Sequence, residues 1–222
     1  MKYIVEHLES DVHDWCLLEY KHMIMQVGAD NLIISHLDED LIRRGIPQSL
    51  ANAHCTSETV EALAFPKHQI VLLDPSSTED LKPEDAQIFK YALFGGAESF
   101  VFYHCCFNRL TPSLLGILGD DPPKDRTKEL RVKGFATRNL GPVQMTTDTA
   151  VLVAKLVLED GKALSEINYA DRPEITLSRK ESVTMPFRYV LGDQGITFPP
   201  GLVDLIKKDA DMSLDDMLAD AQ

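Results

Sequence analysis

Residues 138–150 read RNLGPVQMTTDTA and residues 116–130 read GILGDDPPKDRTKEL, and the kind of sheet this chain can form turns on these two stretches. The earlier one crowds Gly116, Gly119, Asp120, Asp121, Pro122 and Pro123 into a turn just ahead of a helix start, a composition suited to close backbone approach to a ligand rather than to core packing. The later one is a Gly141-Pro142 turn followed by Thr146, Thr147 and Asp148, which can cap a helix running to Glu159. Two such loops, each at a helix entrance, imply a pocket lined by backbone groups.

Working outward, KYIVEHLES predicts a short strand with Glu6 and His7 near its end, followed by Ser10 or Asp11 as a helix cap. Apolar residues recur at helical spacing from Val12 to Val27, and Gly28 is a natural stop. Residues 31–35 and 69–73 are buried strands, 37–50 a polar connection or irregular helix broken near Pro47, and 83–90 a short helix. Tyr91 to Phe94 is a strand running into Gly95-Gly96, Asp125 opens a helix carrying Arg126, Lys128 and Glu129, and 135–139 is a further strand. Short apolar runs alternating with helices predict the α/β class: a mainly parallel sheet with helices on both faces, and ligands beyond the carboxyl ends of the strands. One domain spanning 1–222 is expected, with one or two strands in 173–190 and an acidic helical tail at 200–222 packed on it.

Residues 97–116, AESFVFYHCCFNRLTPSLLG, have neither helical period nor strand alternation. They stand as an atypical insertion that separates FGG from ILGDDPP. The segment reads either as a tolerated surface excursion or as a short intron translated in frame.

The formal net charge of -13 and a pI near 4.9 argue against direct binding to nucleic acid and favour a cationic partner. Cys16, Cys55, Cys105 and Cys106 show no CxxC spacing, so reduced thiols in a cytoplasmic protein are expected and no metal site is. No apolar run in the sequence approaches the ~20 residues a membrane span needs.

Taken together, strand one with Glu6-His7, the LLDP turn, FGG, ILGDDPPKDRTKEL, RNLGPVQMTTDTA, MPFRYV and GLVDLIKKDADMSLDDML resemble the fungal SPOUT-class protein arginine N-methyltransferases that modify a small-subunit ribosomal protein. The resemblance extends over most of residues 1–218, leaving out 97–116. It implies a C-terminal trefoil knot, an exception to the rule against threaded chains. It also implies S-adenosylmethionine bound among three loops: Phe94-Gly95-Gly96, Ile117-Leu118-Gly119-Asp120, and Leu140-Gly141 through Gln144, Met145, Thr146, Thr147 and Asp148. A basic ribosomal protein of the small subunit would be the substrate, and the acidic C-terminal helices would leave a monomer. Within the same fold, RNA methylation is the alternative activity, and a non-catalytic acidic binding module is the alternative outside enzymes.

An arginine acceptor is planar and protonated at neutral pH, so carboxylates must hold its guanidinium in a fork and take up the released proton. Glu6, Glu19 and Asp148 are the candidates, with a helix cap as the other reading of Asp148. Arg126 can bond the cofactor carboxylate or form a surface ion pair. His7 can relay a proton or simply hold structure, and Trp15 can stack on substrate or fill the core.

Overall fold

The computed structural model describes residues 1–9, 12–95, 127–177 and 182–211. Its centre is a six-stranded sheet, wholly parallel, built from β1 (Lys2–Glu6), β2 (Leu32–Ser35), β3 (His54–Cys55), β4 (Ile70–Leu73), β5 (Tyr91–Gly95) and β6 (Ala136–Arg138). The strand order is β3-β2-β1-β5-β4-β6. The four central strands are short and largely apolar because both faces are covered, as parallel sheets require, while the edge strands β3 and β6 are polar and partly exposed. Tyr3, Val5, Ile34, Val71, Ala92 and Phe94 point to one face, and Ile4, Ile33, Ile70, Leu72 and Leu93 to the other.

Helix α1 (Asp14–Val27) and helix α4 (Thr147–Leu158) pack together over the first face. Gly28 ends α1 at φ +81, its N–H donating to Ile24 O at 2.9 Å, in a left-handed region that a side chain would disfavour. The opposite face is covered by Val60, Leu63 and Phe65 of a turn and by Leu130 of the one-turn helix α3 (Lys128–Arg131) with Phe135. Thus helices lie on both faces, as expected, although a turn carries much of the second layer.

Several boundaries differ from the sequence reading. α1 begins after His13, and the expected caps Ser10 and Asp11 lie outside the described residues. Residues 37–50 contain a true helix, α2 (Glu39–Arg44), capped by Asp38, whose carboxylate accepts from Leu41 N. β3 was not expected, since two residues carry no periodicity. Asp125 and Arg126, with the whole of 97–116, fall outside the described residues.

After α4 the chain forms β7 (Tyr169–Asp171), β8 (Glu174–Thr176), β9 (Ser182–Thr184), β10 (Arg188–Gly192) and β11 (Gly195–Ile196), all antiparallel. Helix α5 (Leu202–Asp211) then lays Leu202 and Ile206 against Trp15, Met185, Phe187 and Tyr189. This smaller core sits over the N-terminal end of α1 and positions Arg188 beside the loop after β6.

Candidate active site

The loops that leave β4 and β6 are stitched to each other at the carboxyl edge of the sheet. Asp74 N donates to Arg138 O at 2.8 Å, Asn139 N to Glu79 O at 2.8 Å and Leu81 N to Asn139 O at 2.9 Å. The Asp74 carboxylate then gathers the surroundings: it accepts from Ser76 N at 2.9 Å, Thr127 Oγ1 at 2.9 Å, Arg131 Nη2 at 2.7 Å and also Arg131 Nε. Burial alone would raise its pKa, but the hydrogen bonds from Arg131, Ser76 and Thr127 outweigh burial and hold it below the usual carboxylate range.

A cavity of about 480 Å³ opens beside these loops, lined among others by Pro75, Ser77, Asn139, Leu140, Gly141 and Arg188. Gly141 takes φ +105, and its N–H donates to Asn139 Oδ1 at 2.8 Å. A Cβ at Gly141 would stand 4.0 Å from Arg188 Nη1, so the backbone rather than a side chain faces this space. Arg188 is held by Asp171 through Nε at 2.6 Å and Nη2 at 2.8 Å, and its guanidinium lies 4.5 Å over the Tyr169 ring. The hydrogen bond to Asp171 raises the Arg188 pKa and lowers that of Asp171. Arg188 N also donates to Gln144 O at 2.9 Å, and Met145 pairs with Arg188 in an isolated bridge.

Leu140, Pro142 and Leu164 supply apolar walls, Ser77 and Asn139 polar edges, and Gly141 an open stretch of main chain. That donor set fits an adenosine group, which needs a flat apolar slot and a few backbone or amide partners.

The predicted residues fall into separate places. Phe94 and Gly95 end β5, paired with Val5 and Glu6. Leu140, Gly141, Gln144 and Met145 form the loop just described. Thr146 is the N-cap of α4, but its hydroxyl donates to Thr149 Oγ1 at 2.8 Å instead of capping the helix. Thr147 is buried in the first turn. Gly96, Ile117, Leu118, Gly119, Asp120 and Arg126 lie outside the described residues.

The three candidate carboxylates are not brought together. Glu19 of α1 and Asp148 of α4 are both fully buried, on helices that pack against each other. Glu6 points the other way. Successive strand residues alternate in direction, and Glu6 shares the face of Ile4, where its Oε2 accepts from Ser35 Oγ at 2.6 Å and Val60 N at 2.9 Å. The sheet therefore lies between it and the α1–α4 pair. His7, one residue on, returns to the helical face and places Nδ1 2.6 Å from Tyr20 Oη. Burial pushes the Tyr20 phenol well above its ordinary pKa, so it stays a neutral hydroxyl.

Sequence reasoning missed His22, Tyr169 and Asp171. His22 Nδ1 stands 2.6 Å from Asp148 Oδ2. A signal was present, since Glu19 and His22 interrupt the apolar stripe of α1 at positions that a helix this buried would fill with Leu or Val.

Comparison with known proteins gives the family and the fold. A family model described as protein arginine N-methyltransferase SFM1-like matches residues 2–97 and 114–213. The chain is 40% identical over 232 residues to the protein arginine N-methyltransferase SFM1 of Saccharomyces cerevisiae, covering 98% of this chain and 100% of that protein. The crystal structure of yeast SFM1 complexed with SAM superposes at a TM-score of 0.79 with 38% identity, covering 95% of this chain and 92% of the other. Its complex with SAH gives the same score and identity, covering 93% and 94%. The dual specific Trm10 of Thermococcus kodakaraensis, at 16% identity and a TM-score of 0.51 over 74% of this chain and 95% of that one, shares the SPOUT fold.

Proposed function

This chain belongs to the SFM1-like family of protein arginine N-methyltransferases, and from that premise we propose how it works and on what. It is an S-adenosylmethionine-dependent enzyme. The observation that carries the residue assignment is the pair of fully buried carboxylates, Glu19 and Asp148, on packed helices whose N-termini both lie at the carboxyl edge of the parallel sheet. Carboxylates at the ligand-binding edge of an α/β sheet suit a guanidinium, and Asp148 keeps its second oxygen, Oδ1, beyond the one that His22 meets.

S-adenosylmethionine supplies an electrophilic methyl group carried on a cationic sulfur. The protein has to bring a guanidinium nitrogen into line with it and accept a proton. Asp148 through Oδ1, its Oδ2 being held by His22, and Glu19 accept from different guanidinium N–H groups and so fix its plane. When bound, the cofactor would give up its methyl with the sulfur–carbon electron pair staying on sulfur as a neutral thioether, and the newly methylated guanidinium nitrogen would lose one proton to one of these carboxylates. The Leu140–Gly141 backbone, Asn139 and Ser77 bind the adenosine portion, and Arg188, braced by Asp171, closes that wall.

The substrate is a basic small-subunit ribosomal protein. What supports this is the net charge of -13, which attracts a Lys- and Arg-rich partner and repels phosphates. In this reading the enzyme acts as a monomer in the cytoplasm. Incubation with tritiated S-adenosylmethionine and separated protein and RNA fractions of the small subunit tests the reading. Label on arginine of one basic protein is expected, lost by about a hundredfold or more in Glu19→Gln or Asp148→Asn. Label in RNA overturns the substrate assignment, and native rates in both variants overturn the residue assignment.

A further inference from the structure

The seam between α1 and α4 carries polar groups where apolar ones would cost less. Trp15, Glu19, His22 and Gln26 recur at intervals of four, three and four along α1, which places them on one side of the helix. His22 is nearly fully buried, its Nδ1 is 2.6 Å from Asp148 Oδ2, and the Gln26 amide nitrogen is 3.1 Å from its other ring nitrogen, Nε2. A chain Gln26–His22–Asp148 thus crosses from one helix to the other. Asp148 is fully buried, and its Oδ1 has no hydrogen-bond partner among the described residues. Packing at the seam needs none of this, because two leucines would fill it without a desolvation penalty. The arrangement instead anchors one carboxylate oxygen and leaves its twin ready to accept.

We propose that His22 is a positioning residue for methyl transfer. By bonding Oδ2 it holds the Asp148 carboxylate in one plane, so that Oδ1 is the oxygen presented to the substrate guanidinium. His22 itself touches neither substrate nor cofactor. The assignment rests on the reading of Asp148 given above. The same logic recurs wherever a buried side chain locks the rotamer of a catalytic group, because misplacement by about an ångström can cost as much as a hundredfold in rate.

The test compares His22→Leu, His22→Asn, Asp148→Ala and the His22→Leu/Asp148→Ala double variant in the full chain, by methyl-transfer kinetics, calorimetric S-adenosylmethionine binding and thermal unfolding. His22→Leu should lower kcat by about thirtyfold, leaving KM for the protein substrate and cofactor affinity within about twofold. His22→Asn, whose amide can donate in place of Nδ1, should recover kcat to within about fivefold of native. In the Asp148→Ala background, His22→Leu should cost less than about threefold more, because the group it positions is gone. Independent losses that multiply overturn the proposal, as does His22→Asn being as slow as His22→Leu while binding cofactor normally. If the Leu variant does not fold, His22→Asn and its double with Asp148→Ala decide by the same non-additivity. A slow Asp148→Ala with a fully active His22→Leu sinks the role of His22 alone. A fully active Asp148→Ala sinks the Asp148 reading together with it.

Discussion

Replacing Asp74 by Asn changes two atoms' chemistry and almost nothing in shape, yet it should be among the more damaging single substitutions in this chain. The native carboxylate, 1% exposed, accepts from Ser76 N, Thr127 Oγ1 and two Arg131 nitrogens. An amide keeps one acceptor oxygen but turns an N–H₂ donor toward a guanidinium donor. Leaving a fully buried ion without its partner costs about 3–5 kcal/mol. The Arg131 side chain is 34% exposed, so water recovers part of that, and the net loss is about 2–3 kcal/mol. For a chain of 222 residues each kcal/mol moves Tm by about 2–4 °C, so the midpoint should fall by about 4–12 °C at neutral pH. The pH dependence has a definite sign. The folded-state pKa of Asp74 is lowered, so its stabilisation is complete above the unfolded value of about 3.9 and is lost as pH falls through the depressed folded value. Thermal scans of both chains should therefore show the full gap near pH 7 and a narrowing gap below about pH 4. A midpoint within about 1 °C of native at pH 7, or a gap that persists undiminished in acid, would refute this account. Because Pro75 and Ser77 line the cavity, calorimetry should also show weaker S-adenosylmethionine binding.

Two further outcomes separate competing roles. Glu6→Gln keeps an oxygen that can accept from both Ser35 and Val60, so it should retain most activity, whereas Glu6→Ala leaves a buried Val60 N–H unpaired and should cost about 1–3 kcal/mol in urea unfolding; a folded but inactive Glu6→Gln would return Glu6 to the chemistry. Deleting residues 97–116 should tighten S-adenosylmethionine binding by about tenfold, or ~1.4 kcal/mol, because it places Gly96 next to Ile117; equal affinity of the two chains by calorimetry would count against an insertion into a cofactor loop.

The elements that were legible are those whose pattern is local. β1, β2, β4 and β5 are runs of mostly apolar residues ending in turn signals, β6 follows Phe135 and runs into Leu140-Gly141, and α1 and α4 carry helical spacing closed by Gly28 and opened by Thr146. The strand order was not legible, because pairing of β1 with β5 across some eighty residues leaves no local trace. For the same reason Glu6 looked like a partner of Glu19. Period-two alternation of β1 puts it on the far face, but only knowledge of which face α1 covers turns that period into a direction. The loop after β6 was readable from Gly141-Pro142. Tyr169, which completes its cavity, arrives from a strand pair whose docking depends on the second core around Trp15 and Phe187. His22 was visible as a polar break in an apolar stripe, though its partner Asp148 lies 126 positions away.

The His22–Asp148 contact also bears on how the two helices find their register. Two smooth hydrophobic helices can slide past one another by a turn, about 5.4 Å, while keeping much of their contact area. Here such a slip would strand an imidazole and a carboxylate, each buried and each without its complement, at a penalty of about 3–5 kcal/mol. Only one alignment of α1 on α4 escapes that penalty, so the pair acts as a selector among near-equivalent packings, in the way a lone polar residue sets the register of a coiled coil. The same two side chains would then choose the docked geometry during folding and hold an acceptor oxygen in place afterwards.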